Sequence, residues 1–170
     1  MRPAARADVP ALLKIYNEAV RTTTASYDLE PVSLASRLEW YDDKLRHGHP
    51  VFVAEERGVL LGWSAYGRFR DKRGYDFTAE HSVYVAAGAR GRGIGRSLLE
   101  AVVEHARSAG LHLLVGGLDA DNLASLRLHA SLGFVPVAQL SSGRGHEVGR
   151  KFGRWLDLVF VELRLDEGEC

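Results

Sequence analysis

Apolar side chains recur three and four residues apart at Val9, Leu12, Leu13, Tyr16, Ala19 and Val20, a spacing that predicts an amphipathic helix capped by Asp8. Ser33 opens a second helix, with Leu34, Leu38, Tyr41 and Leu45 on its stripe. The period then shortens. Val51 to Glu55 and Leu60 to Phe69 read as strands joined by a turn at Arg57-Gly58, and Thr78 to Val85 reads as a third strand. Helical spacing returns at Ile94, Leu98, Leu99, Val102, Val103 and Ala106 and stops at Ser108-Ala109-Gly110. A buried strand over Leu113 to Leu118 follows, then a helix from about Asn122 to Leu132. Gly133-Phe134 leads into another strand, and Trp155 to Leu165 is the last. Helices and strands interleave, so the expected class is α/β: a mixed sheet with helices on its faces.

Composition narrows the reading. A chain of 170 residues that is 46% hydrophobic fills one core, so residues 1–170 are expected to form one domain. Twenty-two basic residues balance twenty-two acidic ones. No overall field draws the chain to nucleic acid or to an anionic membrane, and any anion site must be local. The single cysteine, Cys170, can close no internal disulfide, which suits a reducing compartment. The N-terminus lacks a signal-like apolar stretch and no run approaches the roughly 20 apolar residues of a membrane span, so the cytoplasm is the expected location. The seven histidines show no metal-ligand spacing, and no metal is expected.

The densest chemistry lies in Ala89-Arg90-Gly91-Arg92-Gly93-Ile94-Gly95, directly after an apolar strand and before a helix. Such a loop sets unpaired N–H groups at the positive end of a helix dipole, a ready site for phosphate oxygens. Arg90, Arg92 and Arg96 add charge. A P-loop would close with lysine, and Gly95 is followed instead by Arg96-Ser97. A dinucleotide loop would read G-x-G-x-x-G, and here the spacing is G-x-G-x-G.

The pattern that fits at every position is Arg/Gln-x-x-Gly-x-Gly/Ala, at Arg90 to Gly95, and it resembles the pyrophosphate loop of the GNAT N-acetyltransferases. Asn122-Leu123-Ala124-Ser125 and Leu132-Gly133-Phe134 resemble that superfamily's second signature, in the same order. Glu80 to Val85, Val148 to Leu158, Ile15 to Val20 and Tyr66 to Arg70 resemble its phosphinothricin and methionine sulfoximine subfamily over nearly the whole chain. Two departures stand out. The chain is longer around Ser141 to His146, and Lys72 replaces an expected apolar or aromatic residue.

The resemblance implies a GNAT fold whose sheet splays between the strand ending at Val85 and the strand starting at Leu113. It implies acetyl-CoA as co-substrate, held by the main chain of Val83, Tyr84 and Val85, by residues 90 to 96 including Ile94, and by the amide of Asn122. It implies a small-molecule amine as acceptor and a homodimer. Glu80 corresponds to the base that takes the proton of the incoming ammonium; the alternative is a strand-edge carboxylate paired with an arginine. His129 stands where many relatives carry a tyrosine that protonates the departing thiolate; the alternative is a packed histidine. Arg70 and Lys72, with His81 and Lys151, are the candidate acceptor contacts. For Arg70 to Arg73 the alternative is a solvated turn, and for Lys151 a clamp on the last strand. Other amines (a polyamine, an antibiotic, a protein N-terminus) stay open as acceptors, as does a module that binds acetyl-CoA without turnover.

Overall fold

The computed structural model describes residues 1–140 and 148–166. The segment Ser141 to His146 and Cys170 lie outside the described residues. The elements are β1 (Arg2–Pro3), α1 (Val9–Thr22), α2 (Leu34–Arg46), β2 (Val51–Glu56), β3 (Val59–Arg68), β4 (Thr78–Val85), α3 (Ile94–Ser108), β5 (Leu113–Asp119), α4 (Leu123–Ala130), β6 (Val135–Leu140), β7 (Gly149–Lys151), β8 (Arg154–Leu156) and β9 (Leu158–Arg164). Seven strands form one sheet in the order β1-β2-β3-β4-β5-β9-β6, and β7-β8 form a separate hairpin. Only β4 and β5 run parallel; every other neighbouring pair is antiparallel.

Two apolar clusters cover the two faces of the sheet. On one face, Leu99, Val102, Val103 and Ala106 of α3 bury against Tyr66, Ala79, Leu114 and Val161. Each such side chain removed from water contributes about 1.5–3 kcal/mol before entropy is counted. On the other face, Val9, Leu12 and Ile15 of α1 and Tyr41 of α2 meet Val53, Trp63 and Ala65. Strand alternation therefore divides β4. Ala79 and Val83 pack on the α3 side, and Tyr84 packs on the α1 side.

Three local expectations change. Asp8 does not cap α1 with its side chain; it lies in a 3-10 turn, accepts the Ala5 N–H at 2.7 Å and takes Arg2 as a partner. Strand β1 went unpredicted because two residues carry no period. The single last strand is two, β8 and β9, because the Asp157 carbonyl between them accepts Ala120 N–H and the Tyr27 hydroxyl instead of a ladder partner. Ser33 does cap α2, accepting Ser36 N–H at 3.1 Å. No helix among the described residues is long and apolar enough to cross a membrane.

Candidate active site

The sheet opens where β4 and β5 diverge. Thr78, Ala79 and Glu80 pair with Leu113, Leu114 and Val115, and the ladder ends there. From His81 onward the β5-facing edge of β4 is unpaired, while its other edge stays bonded to β3 as far as Val85. Val83, Tyr84, Gly116, Leu118 and Asn122 line a narrow cavity in this gap. Buried main-chain groups are satisfied in folded proteins, so a strand edge left open beside a cavity is a place for a ligand with amide groups of its own.

The glycine loop begins just beyond Val85. Gly91 and Gly93 have φ of +74° and +79°, and a Cβ at either would meet nothing within 4 Å. Glycine is required there by the backbone angle, not by crowding. Gly93 stands at the N-cap position of α3 without a side-chain cap, and the first intrahelical bond runs from Ser97 N–H to the Gly93 carbonyl. The N–H groups of Ile94, Gly95 and Arg96 precede it and point out of the helix end. Gly95 keeps α3 close, since a Cβ there would lie 3.3 Å from Leu128 and 3.6 Å from Val85. The three arginines are held at the rim. Arg92 pairs with Glu56 at 2.9 Å and Arg96 with Glu100 at 2.8 Å, while Arg90 donates to the Val85 carbonyl at 3.3 Å.

Glu80 lies on the α1 side of β4, half-buried, in a cavity walled by Ala25, Tyr27, Arg70, Ser82, Tyr84 and Gly117. Its Oε1 would stand 3.6 Å from a Cβ on Gly117. Its carboxylate forms no hydrogen bond or ion pair among the described residues. Burial raises its pKa, against the opposing pull of Arg70 and Lys44. A carboxylate that is unpaired, partly desolvated and open to a cavity has the properties of a proton acceptor poised for use.

His81 and His129 form a buried pair on the opposite side of the strand. The His81 Nδ1 faces the Val115 carbonyl at 2.7 Å, the His129 Nδ1 faces the Ser125 carbonyl at 2.7 Å, and the two Nε2 atoms are 2.8 Å apart. Both carbonyls accept, so both Nδ1 atoms carry hydrogens. Burial pushes both rings toward neutrality, His81 to about 3. Two neutral rings supply two protons to three contacts, leaving a place for one proton between the Nε2 atoms. His129 therefore meets the cavity as half of a pair, with its Nδ1 committed to the Ser125 carbonyl and its Nε2 facing that of His81.

The remaining candidates separate. Asn122 spends its Oδ1 on Ser125 N–H as the N-cap of α4, and its Nδ2 is left to the cavity. Arg70 stacks on Phe69 and lines the Glu80 cavity, whereas Lys72 is exposed and absent from that lining. Lys151 is buried behind the wall of the Glu80 cavity, outside its lining, where its ammonium donates to the Ser26 carbonyl at 2.6 Å. It thereby ties β7 to residues 24–27. Gly149 on the same strand has no room for a side chain: a Cβ would lie 2.7 Å from two Tyr27 ring carbons.

Some residues at this site carried no signal in the sequence. The segment Thr24 to Tyr27 follows α1 without periodicity, yet it walls the Glu80 cavity and bonds to Asp119 through Thr24. Lys44 passes over Gly67, the cross-strand partner of Glu80, where a Cβ would collide with its Nζ. The spacing of α2 with a glycine in β3 was the available hint. Among the described residues no group of three His, Cys, Asp or Glu is arranged to hold a metal ion.

Comparison with known proteins gives the family and the fold. Residues 12–134 match the acetyltransferase (GNAT) family model. Over 167 residues the chain is 47% identical to an L-methionine sulfoximine/L-methionine sulfone acetyltransferase of Pseudomonas aeruginosa, covering 98% of this chain and 94% of that one. It is 39% identical to a phosphinothricin N-acetyltransferase of Alcaligenes faecalis, over 95% of this chain and 80% of that one. A solved acetyltransferase from Salmonella typhimurium, with its cofactor acetyl-CoA, superposes with a TM-score of 0.93 at 44% identity, covering 99% of this chain and 95% of that one.

Proposed function

Because the chain belongs to the acetyltransferase (GNAT) family, we propose that it moves the acetyl group of acetyl-CoA onto the α-amine of a small amino acid of the methionine sulfoximine or phosphinothricin type. The residues present suit the donor. The outward N–H groups at 94–96 meet a diphosphate, the open edge of β4 at Val83 to Val85 meets amide groups, and the Asn122 Nδ2 adds a donor beside them.

The observation that carries the reading is the unpartnered Glu80 carboxylate beside the gap where β4 leaves β5. An amino-acid ammonium must lose a proton before it attacks. Glu80 accepts that proton directly or through water, the amine nitrogen bonds to the thioester carbonyl carbon, the carbon–sulfur bond breaks, and the second proton of the nitrogen passes to the departing thiolate, leaving the amide and the free thiol. A β4 N–H turned into the gap would stabilise the negative charge that builds on the carbonyl oxygen. Arg70, on the wall of the same cavity, is suited to the acceptor's α-carboxylate.

The test is thiol release from acetyl-CoA with purified protein and a panel of amines. Methionine sulfoximine, methionine sulfone and phosphinothricin should be turned over at least about 100-fold more efficiently than a polyamine or a peptide N-terminus. Equal efficiency across the panel rejects the acceptor class, and no release with any amine rejects turnover itself. The reading includes a homodimer, supported by the apolar side chains of Val135, Val137, Leu140, Phe152 and Trp155 exposed on β6 and the β7-β8 hairpin. Sedimentation at twice the chain mass of 18.7 kDa is expected, and a monomer at assay concentration would reject the pairing.

A further inference from the structure

A second cavity, of about 280 Å³, opens on the same face of the sheet as Glu80 and shares Ser82 and Tyr84 with the Glu80 cavity. Its far wall holds a buried cation. Arg37 of α2 is 7% exposed, and among the described residues no carboxylate forms an ion pair with it. Its guanidinium lies 4.0 Å from the Tyr16 ring centre, 4.7 Å from Trp40 and 5.6 Å from Trp63. Its Nε donates to nothing, and neither does the Nε1 of Trp63, which is 1% exposed. Asp28, on the same wall, takes the Tyr16 hydroxyl at 2.5 Å and acts on the guanidinium only through space, without forming an ion pair.

Two orphaned donors beside one aromatic-walled cavity require an explanation, since buried polar groups are ordinarily satisfied. Stacking on rings accommodates the charge of a guanidinium but leaves its in-plane N–H groups without acceptors. The group that would satisfy them is compact, rich in acceptor atoms and apolar on its other side.

We propose that this cavity receives the oxo-bearing end of the acceptor's side chain, a sulfone, sulfoximine or phosphinate, with Arg37 donating to its oxygens and the aromatic walls enclosing its methyl group. The proposal rests on the acceptor class given above and assigns that class its recognition site. Position along the strand selects the side chain over the α-carboxylate. Trp63 pairs with Tyr84, four residues along β4 from Glu80, or roughly 13 Å at the rise of a strand. The two protein side chains close part of that span and a methionine-length substrate closes the rest. An α-carboxylate, two bonds from the amine, stays beside Glu80 and Arg70.

The test compares methionine sulfone with norleucine, which has a similar chain and no oxo group. Arg37→Met should raise KM for methionine sulfone by about 10-fold or more, the value of a hydrogen bond to a charged group. KM for norleucine should change less than about twofold. Arg37→Lys should recover part of the loss, because it restores the charge without the fork. The amide of methionine sulfone should suffer the same factor as the acid. Equal losses on sulfone and norleucine, or a loss that vanishes on the amide, would overturn the proposal.

A second measurement does not depend on the Arg37 variants. With the outlying Trp155 changed to Phe, tryptophan emission reports Trp40 and Trp63 alone. Methionine sulfone should shift it saturably and norleucine at the same concentration should not; an unmoved spectrum at concentrations that saturate turnover also overturns the proposal. Failure of the acceptor class itself is separate, since it appears in the wild-type protein as equal efficiency on amino acids, polyamines and peptide N-termini.

Discussion

The glycine-rich turn before α3 and the cavity around Glu80 adjoin each other on the sheet and are built by opposite means. The turn is made of consecutive residues and works through backbone: two positive φ angles and the free N–H groups of a helix end. Its arginines are occupied with Glu56, Glu100 and the Val85 carbonyl. The cavity is made of side chains from distant segments, at 24–27, 70, 80–84 and 117. A diphosphate offers the same oxygens whatever it is attached to, and N–H groups suffice to hold it. An amino acid must be told from its neighbours, which takes side chains in specific places.

This contrast breaks most readily at Glu80. Glu80→Gln should cut kcat/KM by about 10²- to 10⁴-fold, the usual share of a general base, while acetyl-CoA KM stays within about twofold. The wild-type profile sharpens the point. Burial raises the Glu80 pKa, so activity, which needs the ionised form, should fall on acidification at a pH above the ordinary carboxylate range. The variant should lack that limb. An unchanged acid limb in the variant assigns the proton to another group.

Gly93→Val should do the reverse. Valine at φ +79° is strained by about 1–3 kcal/mol, and relief of that strain would turn the N–H groups away. Acetyl-CoA KM should rise about 10-fold or more, with acceptor KM little altered. The smallest effect is expected for Arg92→Ala. Its exposed pair with Glu56 belongs to a type worth about 0–1 kcal/mol, and donor KM should move by less than about threefold. A loss matching that of Gly93→Val would mean that the turn binds through charge after all.

The same division explains what could be read from the chain. Helices α1, α2 and α3 and strands β2 to β5 appeared in the periodicity because each buries one continuous face. Glu80 and the 90–96 loop could be named because a strand, a turn and a helix follow one another without interruption. Asp157 was illegible as a break because its carbonyl partners, Ala120 and Tyr27, lie far away in sequence. Lys151 could be read as an acceptor contact or as a clamp on the last strand, and its partner, the Ser26 carbonyl, is brought to it only by the fold. His81 and His129 were separate candidates, and only the divergence of β4 from β5 joins them. Arg37 carried no mark at all, because the rings it stacks on, Tyr16, Trp40 and Trp63, come together only in the fold.

The bare backbone at Gly149 puts an outlying hairpin directly behind one wall of the Glu80 cavity. The Cδ2–Cε2 edge of the Tyr27 ring occupies the space a side chain at 149 would need, and Tyr27 also lines the cavity. Even one methyl at 149 would have to move the phenol. The outline of the cavity thus depends on a residue that is not part of its lining.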